Sequence, residues 1–293
     1  MQPPEPAAEA DRLVEIGYAK VNVALHVRAR RADGYHALES LFVFADDGDR
    51  LEAQASDDGA IDLVIDGPFG AGLEAGPGNL VVRAARTLQC YLGEQRGAAI
   101  RLTKALPVAS GIGGGSADAA ATLRLLARVW DVRIDAAELA GLALDLGSDV
   151  PACVASVTQL VTGRGEQLVR HAVAGLAGMP MLLVNPGVGV STASVFAGWD
   201  RQDRGALDAG SLDALVAAGR NDLEPPAMAV APVIAAVLAA LGAAPGVRLA
   251  RMSGSGATCF ALFDEDAAMA RAADAIRWAQ PGWWVMETRI RNG

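Results

Sequence analysis

The chain has 293 residues, 52% of them hydrophobic, with a formal net charge of −9 and a pI near 4.9. That length admits one or two domains with a sizeable core, and the hydrophobic share excludes a disordered chain. The acidic balance excludes a nucleic-acid binder working through a basic surface, so an anionic ligand must be held by a local set of cations and backbone N–H groups.

Residues 1–11 are rich in Pro, Ala and acids and lack the basic start and apolar stretch of a signal peptide, which predicts a loose tail. Val14 to Val27 alternates with period two and predicts a strand. Ala19, Val21, Val23 and Leu25 share one face; Lys20, Asn22 and His26 share the other, so Lys20 and Asn22 point the same way. A turn follows at residues 30–34. Short strands are expected at Ser40–Phe44, Arg50–Ala55, Ile61–Ile65 and Ala99–Thr103, with a helix over Asn79–Leu92.

The stretch from Leu106 to Ala120 is the most informative. Gly111, Gly113, Gly114, Gly115 and Ser116 stand directly before a helix pattern over Ala117–Trp130. Glycines let the backbone approach an anion closely, and a helix N-terminus adds about half a positive charge, so the pair makes a phosphate cradle. No Lys follows the glycines, which excludes a Walker A loop, and the spacing is wrong for a dinucleotide fingerprint. A second helix is expected over Ala136–Leu144, closed by Gly147, and a third begins at Ser148-Asp149-Val150-Pro151. Asp149 is either a carboxylate projecting into a cleft or an N-cap, and both readings stand at this level. Asp118 reads as a first-turn helix acid; His26 and His171 read as structural.

Beyond Val161 the pattern gives a strand at Met181–Val184, a short helix over Ser191–Gly198 carrying Phe196, and a helical region from Asn221. The uncharged run Pro225–Val247 is long enough to raise a membrane span. Its alanines and four prolines favour a buried helix near Val233–Leu241 instead. A strand at Leu249–Ser253 runs into Gly254-Ser255-Gly256, either a tight turn or a second backbone element closing on the same phosphates, and a strand at Thr258–Phe263 follows. Three cysteines, Cys90, Cys153 and Cys259, fit no disulfide or metal pattern and suit a reducing cytoplasm. Only two of the 25 cations are lysines, Lys20 and Lys104, which suggests positions that need a compact ammonium.

Taken together, Pro107–Ala120 and Gly254-Ser255-Gly256-Ala257 resemble motifs of the GHMP kinases, named for galactokinase, homoserine kinase, mevalonate kinase and phosphomevalonate kinase. Ala19-Lys20-Val21-Asn22, Arg31-Ala32-Asp33-Gly34-Tyr35-His36, Leu146–Pro151, Gly163-Arg164-Gly165-Glu166 and Asn221–Glu224 narrow the resemblance. They match the members whose acceptor is a cytidine diphosphate conjugate of methylerythritol in the non-mevalonate isoprenoid route. It spans about Gly17 to Phe263.

The resemblance implies an α/β (α+β) fold of two lobes around a deep cleft. A ribosomal-protein-S5-like ATP lobe would span residues 12–160, with an unusual left-handed crossover, and a ferredoxin-like substrate lobe residues 161–293. It implies Lys20 and Asp149 as the catalytic pair, with Asp149 the general base for transfer of the γ-phosphate to a 2-hydroxyl. Pro107, Val108, Ala109, Ser110, Gly111, Ile112, Gly113, Gly114, Gly115, Ser116 and Ala117 would wrap the ATP phosphates. Mg2+ would come with ATP, touched at most by Ser116, with no fixed metal site. Asn79 and Lys104 would lie near the adenosine. Asn22, Tyr35, His36 and Phe196 would hold the acceptor, with cytosine between Tyr35 and Phe196. Membrane, nucleic acid and an obligate protein partner are not expected. Homoserine or mevalonate kinase is the nearest rival, and the Gly34-Tyr35-His36 turn discriminates against it. A non-catalytic nucleotide sensor is disfavoured by the presence of both Lys20 and Asp149. The chain departs from the family at Asp118, where some members carry Asn, and its acidity leaves few cations for the acceptor's diphosphate.

Overall fold

A computed structural model describes residues 12–292, so the expected tail over residues 1–11 lies outside the described residues. The first lobe runs, in chain order, through β1 (Leu13–Arg30), β2 (His36–Ser56), β3 (Ile61–Asp66), α1 (Leu80–Leu92), β4 (Gly97–Thr103), α2 (Gly114–Val129), α3 (Ala136–Ala143), α4 (Val150–Ala155), β5 (Gln159–Gly163) and β6 (Gln167–Arg170). Its six-stranded sheet has the order β3-β4-β2-β5-β6, with β1 paired to β2.

Where two short strands were expected, β2 is one strand of 21 residues. Pairing explains this. β1 accompanies it throughout, with bulges that absorb the irregularities, while β4 joins at Arg50–Ser56 and β5 at Leu38–Phe42. The acidic stretch Asp46–Asp49 looks like a break in sequence, but neighbours hold it in the ladder. β1 likewise is buried from Ala19 to Val27, including its polar face. Over the sheet lies α2, buried on nearly all sides, as an apolar helix should be. Its alanines admit close approach to β1, and Leu88, Leu102, Leu123 and Trp130 fill the surrounding core.

Gly147 does not close α3. The helix ends at Ala143 with Leu144 still right-handed, and successive turns carry the chain onward through Leu144 N–H to Gly141 O and Val150 N–H to Gly147 O. No left-handed residue is needed, so no C-cap glycine forms.

The second lobe comprises β7 (Pro180–Asn185), α5 (Thr192–Ala197), α6 (Leu212–Ala217), α7 (Glu224–Val230), α8 (Val233–Gly242), β8 (Val247–Met252), β9 (Cys259–Phe263), α9 (Asp266–Ala279) and β10 (Trp284–Arg289). The sheet order β10-β7-β9-β8 is antiparallel throughout, the ferredoxin-like arrangement of a β-α-β-β-α-β chain. The uncharged run becomes α7 and α8, and among the described residues no helix is long and apolar enough to cross a membrane. Only Ile234, Val237 and Leu241 of α8 are buried. Residues 159–170 belong to the first sheet, so a junction at 160/161 would fall inside β5.

The lobes are tied by the Asn221–Glu224 segment. Leu25 N–H donates to Arg220 O and Asp222 N–H to Leu25 O. The Asp222 carboxylate accepts from Val27 N–H at 2.8 Å. Asn221 Nδ2 donates to Met252 O and Gly254 O, both at 2.8 Å, and Arg251 reaches Val23 O at 2.6 Å. These bonds fix the end of β8 and the Gly-rich turn after it against β1, which sets the geometry of the cleft.

Candidate active site

A cavity of about 1290 Å³ opens between the lobes. β1 brings Lys20 and Asn22 to it side by side, as the strand period requires. The N-terminus of α2 brings Gly113, Gly114, Gly115 and Ser116. Gly113 is the N-cap, in a left-handed conformation (φ 66°), with no side-chain cap and no acid in the first turn. The first N–H groups of the helix and its partial positive charge are therefore left for a ligand.

The loop leading to α2 is held from behind. Ile112 O accepts from Lys20 N–H at 3.0 Å, and Ser110 O from Thr258 N–H at 3.0 Å. The Ser253 hydroxyl donates to Gly111 O at 3.0 Å while accepting from Asn22 N–H at 3.1 Å. A Cβ on Gly111 would lie 2.6 Å from Ser253 O, and one on Gly113 3.2 Å from Lys20 Cε. Both positions also have positive φ, so only glycine fits. The Gly254–Gly256 turn thus backs the first loop, and Gly254 and Ser255 also line the cavity.

Asp149 stands in the N-cap position of α4, yet its side chain makes no capping bond. It accepts instead from Lys20 Nζ at 2.8 Å. The lysine side chain is 5% exposed and the aspartate side chain 34%, so the ammonium is sheathed while the carboxylate faces the cavity. The ammonium also lies 4.1 Å from the Phe42 ring centroid, a cation–π contact. A paired, desolvated ammonium beside an accessible carboxylate is a fit arrangement for orienting a hydroxyl and accepting its proton. Asn22 Nδ2 donates to Ser40 Oγ at 2.8 Å, leaving its Oδ1 without a partner in the protein.

At the far end, His36 lies stacked on Phe196 with ring centroids 4.9 Å apart and planes at 28°. Trp199 meets His36 edge-on at 5.6 Å, and its Nε1 is buried without a partner. Tyr35 is 60% exposed, with the Arg164 guanidinium 5.3 Å from its ring. The ring lying against Phe196 is therefore His36, not Tyr35. Burial first, then the Arg30 charge, lowers the His36 pKa below its ordinary value, which keeps the imidazole neutral near pH 7 with one donor and one acceptor nitrogen.

Not all expected residues meet here. Lys20, Asn22, Tyr35, His36, Ala109, Ser110, Gly111, Gly113–Ser116, Asp149 and Phe196 line the cavity; Pro107, Val108, Ile112, Ala117, Asn79 and Lys104 do not. Asn79 caps α1, accepting from Val81 N–H at 2.9 Å and donating to Glu74 O at 2.8 Å. Lys104 is 3% exposed and ion-paired with Asp49 and Asp118. Sequence reasoning gave no role to Trp199, or to Arg30, Arg164 and Arg201, which also line the cavity. The last three supply the cations that the overall acidity had hidden. Arg164 stood inside a quoted motif, whereas nothing in the sequence marked Arg201.

Asp118 is 3% exposed, and burial first, then the neighbouring Asp49, pushes its carboxyl up to about 8 against the pull of Lys104. A carboxyl raised in the folded state favours unfolding as it ionises, so stability falls as pH rises from about 4 towards that value. Asp118→Asn is the neutral isostere. It should raise the melting temperature, with a larger gain at pH 8 than at pH 5; a lower melting temperature at pH 8 would show that Asp118 is needed as an anion.

Two family models match the chain: the N-terminal domain of GHMP kinases over residues 79–156 and the C-terminal domain over residues 204–279. A 4-diphosphocytidyl-2-C-methyl-D-erythritol kinase of Rhizorhabdus wittichii is 51% identical over 290 residues, covering 98% of this chain and 97% of the relative. A crystal structure of a 4-(cytidine 5'-diphospho)-2C-methyl-D-erythritol kinase superposes with a TM-score of 0.80 at 33% identity, covering 96% of this chain and 100% of that one. A homoserine kinase from Cytophaga hutchinsonii superposes with a TM-score of 0.74, covering 98% of this chain and 97% of that one, but at 20% identity it shares the fold alone.

Proposed function

The chain belongs to the GHMP kinases, and within them to the 4-diphosphocytidyl-2-C-methyl-D-erythritol kinases; as one of these, we propose, it transfers the γ-phosphate of ATP to the 2-hydroxyl of that cytidine conjugate, giving the 2-phosphate and ADP. One observation carries the mechanism: the Lys20–Asp149 pair shares a cavity with the uncapped N-terminus of α2.

In this reading the triphosphate lies against the N–H groups of Gly113–Ser116, where the helix dipole and backbone donors hold its charge. Mg2+ enters with ATP, and the Ser116 hydroxyl, which lines the cavity at the start of α2, is the protein oxygen suited to it. Asp149 accepts the proton of the attacking 2-hydroxyl, and the Lys20 ammonium holds both oxygens in place and screens the developing charge. The unpartnered Oδ1 of Asn22 accepts from a polyol hydroxyl. Transfer then depends mainly on positioning and charge stabilisation.

The cytosine end serves as a handle. A planar base takes a place beside Phe196, with Tyr35 closing the outer face and neutral His36 reading the polar edge. Arg30, Arg164 and Arg201 offer charge to the diphosphate. Cys90, Cys153 and Cys259 are unpaired, which fits a reducing compartment, and we place the enzyme in the cytoplasm.

Phe196→Ala tests this directly. Base–aromatic stacking of about 1–3 kcal/mol corresponds to a rise of roughly 5- to 150-fold in acceptor KM, with ATP KM unchanged. Tyr35→Ala should do less, since that ring is mostly exposed. A rise in ATP KM instead would put the nucleotide donor, not the acceptor, at the aromatic end.

A further inference from the structure

The stretch before the Gly-rich loop ends in a cluster built on Asp49, a residue that no motif marks. Asp49, on β2, has no solvent exposure. Its Oδ1 accepts from Ala105 N–H at 2.6 Å and Leu106 N–H at 2.8 Å, and its Oδ2 from Lys104 Nζ. The same ammonium donates to Asp118 Oδ2 at 2.6 Å. Leu106 immediately precedes the loop, and Asp118 lies in the second turn of the helix that follows it.

We propose that Asp49 is a positioning residue for ATP: through the Ala105 and Leu106 amides it fixes the start of the Pro107–Gly113 loop, and through Lys104 and Asp118 it fixes the end. The role rests on the reading that this loop and the start of α2 hold the triphosphate. Charge-assisted bonds to a fully buried carboxylate are short and directional, and the low local dielectric strengthens them. The cluster also sits against the first residue of α2. A Cβ on Gly114 would lie 3.1 Å from Lys104 Nζ and 3.7 Å from Asp49 Oδ2, so the side-chain position of that glycine points at the cluster while its backbone lines the cavity. The Lys104 backbone is itself held, its N–H bonded to Asp66 O at 2.8 Å and its O to Phe69 N–H at 3.1 Å. The middle of the loop has separate supports in Lys20, Ser253 and Thr258. Loss of Asp49 therefore frees the two flanks of the loop while leaving the acceptor side of the cavity in place.

Asp49→Asn keeps the size and one acceptor oxygen but turns an amide NH2 towards the Lys104 ammonium. Calorimetry and steady-state kinetics should show ATP Kd raised by about 10-fold or more, as expected for a small displacement of a positioning element. Acceptor KM should stay within about twofold of the wild type, because its contacts are elsewhere. An unchanged ATP Kd, or equal weakening of both substrates, overturns the proposal and leaves Asp49 a support of the fold. Gly115→Val separates this from the loop reading itself: a Cβ there meets only Leu80, at 3.5 Å, so the added side chain stands in the cavity. If that variant binds ATP normally, the loop reading fails. If it loses ATP while Asp49→Asn does not, only the positioning role fails. Should Asp49→Asn not fold, hydrogen exchange on the wild type decides: the Ala105 and Leu106 amides should stay protected without ATP, and fast exchange there overturns the role.

Discussion

Asp149→Asn should lower turnover by about 10²–10⁴-fold, the range of a general-base contribution, while ATP affinity stays within a few fold. The amide keeps the size of the carboxylate and can still accept from Lys20, but it cannot take the proton of the attacking hydroxyl. Loss of a helix cap could not mimic this effect, because the Asp149 side chain makes no capping bond in α4. Stability should change little. One partner of the pair is a third exposed, and water screens most of its interaction with the ammonium. Single-turnover kinetics with both substrates saturating measures the step; near-normal turnover would leave Asp149 as no more than the residue at which α4 starts.

Lys20→Arg should be nearly as damaging as Lys20→Ala, each costing about 10²–10³-fold in kcat, the scale of losing one preorganised donor. Charge alone does not suffice at this position. The ammonium is enclosed by the Phe42 ring at 4.1 Å, the Asp149 carboxylate at 2.8 Å and the Gly113 backbone, whose missing Cβ would sit 3.2 Å from Lys20 Cε. A guanidinium is wider and planar, with donors in a fixed fork, so it must push against the loop that holds ATP. Arginine should therefore raise ATP KM as well as lower kcat, whereas alanine should mainly lower kcat. An arginine variant with most of the wild-type activity would mean that the site asks only for a positive charge.

The elements with strong periodicity were legible in sequence. β1, α1, α2, α5, α8 and β9 fall within a few residues of where spacing and caps put them. The misses have physical causes. The acidic middle of β2 looks like a loop in sequence, and only the partner strands on both sides show why the strand continues. α9 leaves little mark in sequence although Ala268, Ala272, Ala273 and Ile276 keep helical spacing, because alanines give a weak apolar contrast.

At the site, local sequence showed that Lys20 and Asn22 share a face and that glycines open α2. It could not decide between the two readings of Asp149. That required Lys20, 129 residues away. The scarcity of lysine did point to two enclosed ammoniums, yet Lys104 faces Asp49 and Asp118 rather than the cavity. The contact between His36 and Phe196 joins residues from different lobes and leaves no trace in either neighbourhood.

Recognition of the acceptor by its cytidine end, with phosphorylation of the polyol at the other, sets an order of efficiency among possible acceptors. The most direct measurement is kcat/KM with ATP across a panel of acceptors, following ADP release and locating the new phosphate by phosphorus NMR. The panel holds the cytidine diphosphate conjugate of methylerythritol, its uridine counterpart, free methylerythritol phosphate, mevalonate and homoserine. Phosphorylation of the 2-hydroxyl of the cytidine conjugate is expected, with a clear loss for the uridine counterpart, which exchanges a donor for an acceptor on the base edge and leaves polar groups mispaired. Little turnover is expected of the three acceptors that lack a base. Equal efficiency with free methylerythritol phosphate, mevalonate or homoserine would contradict it.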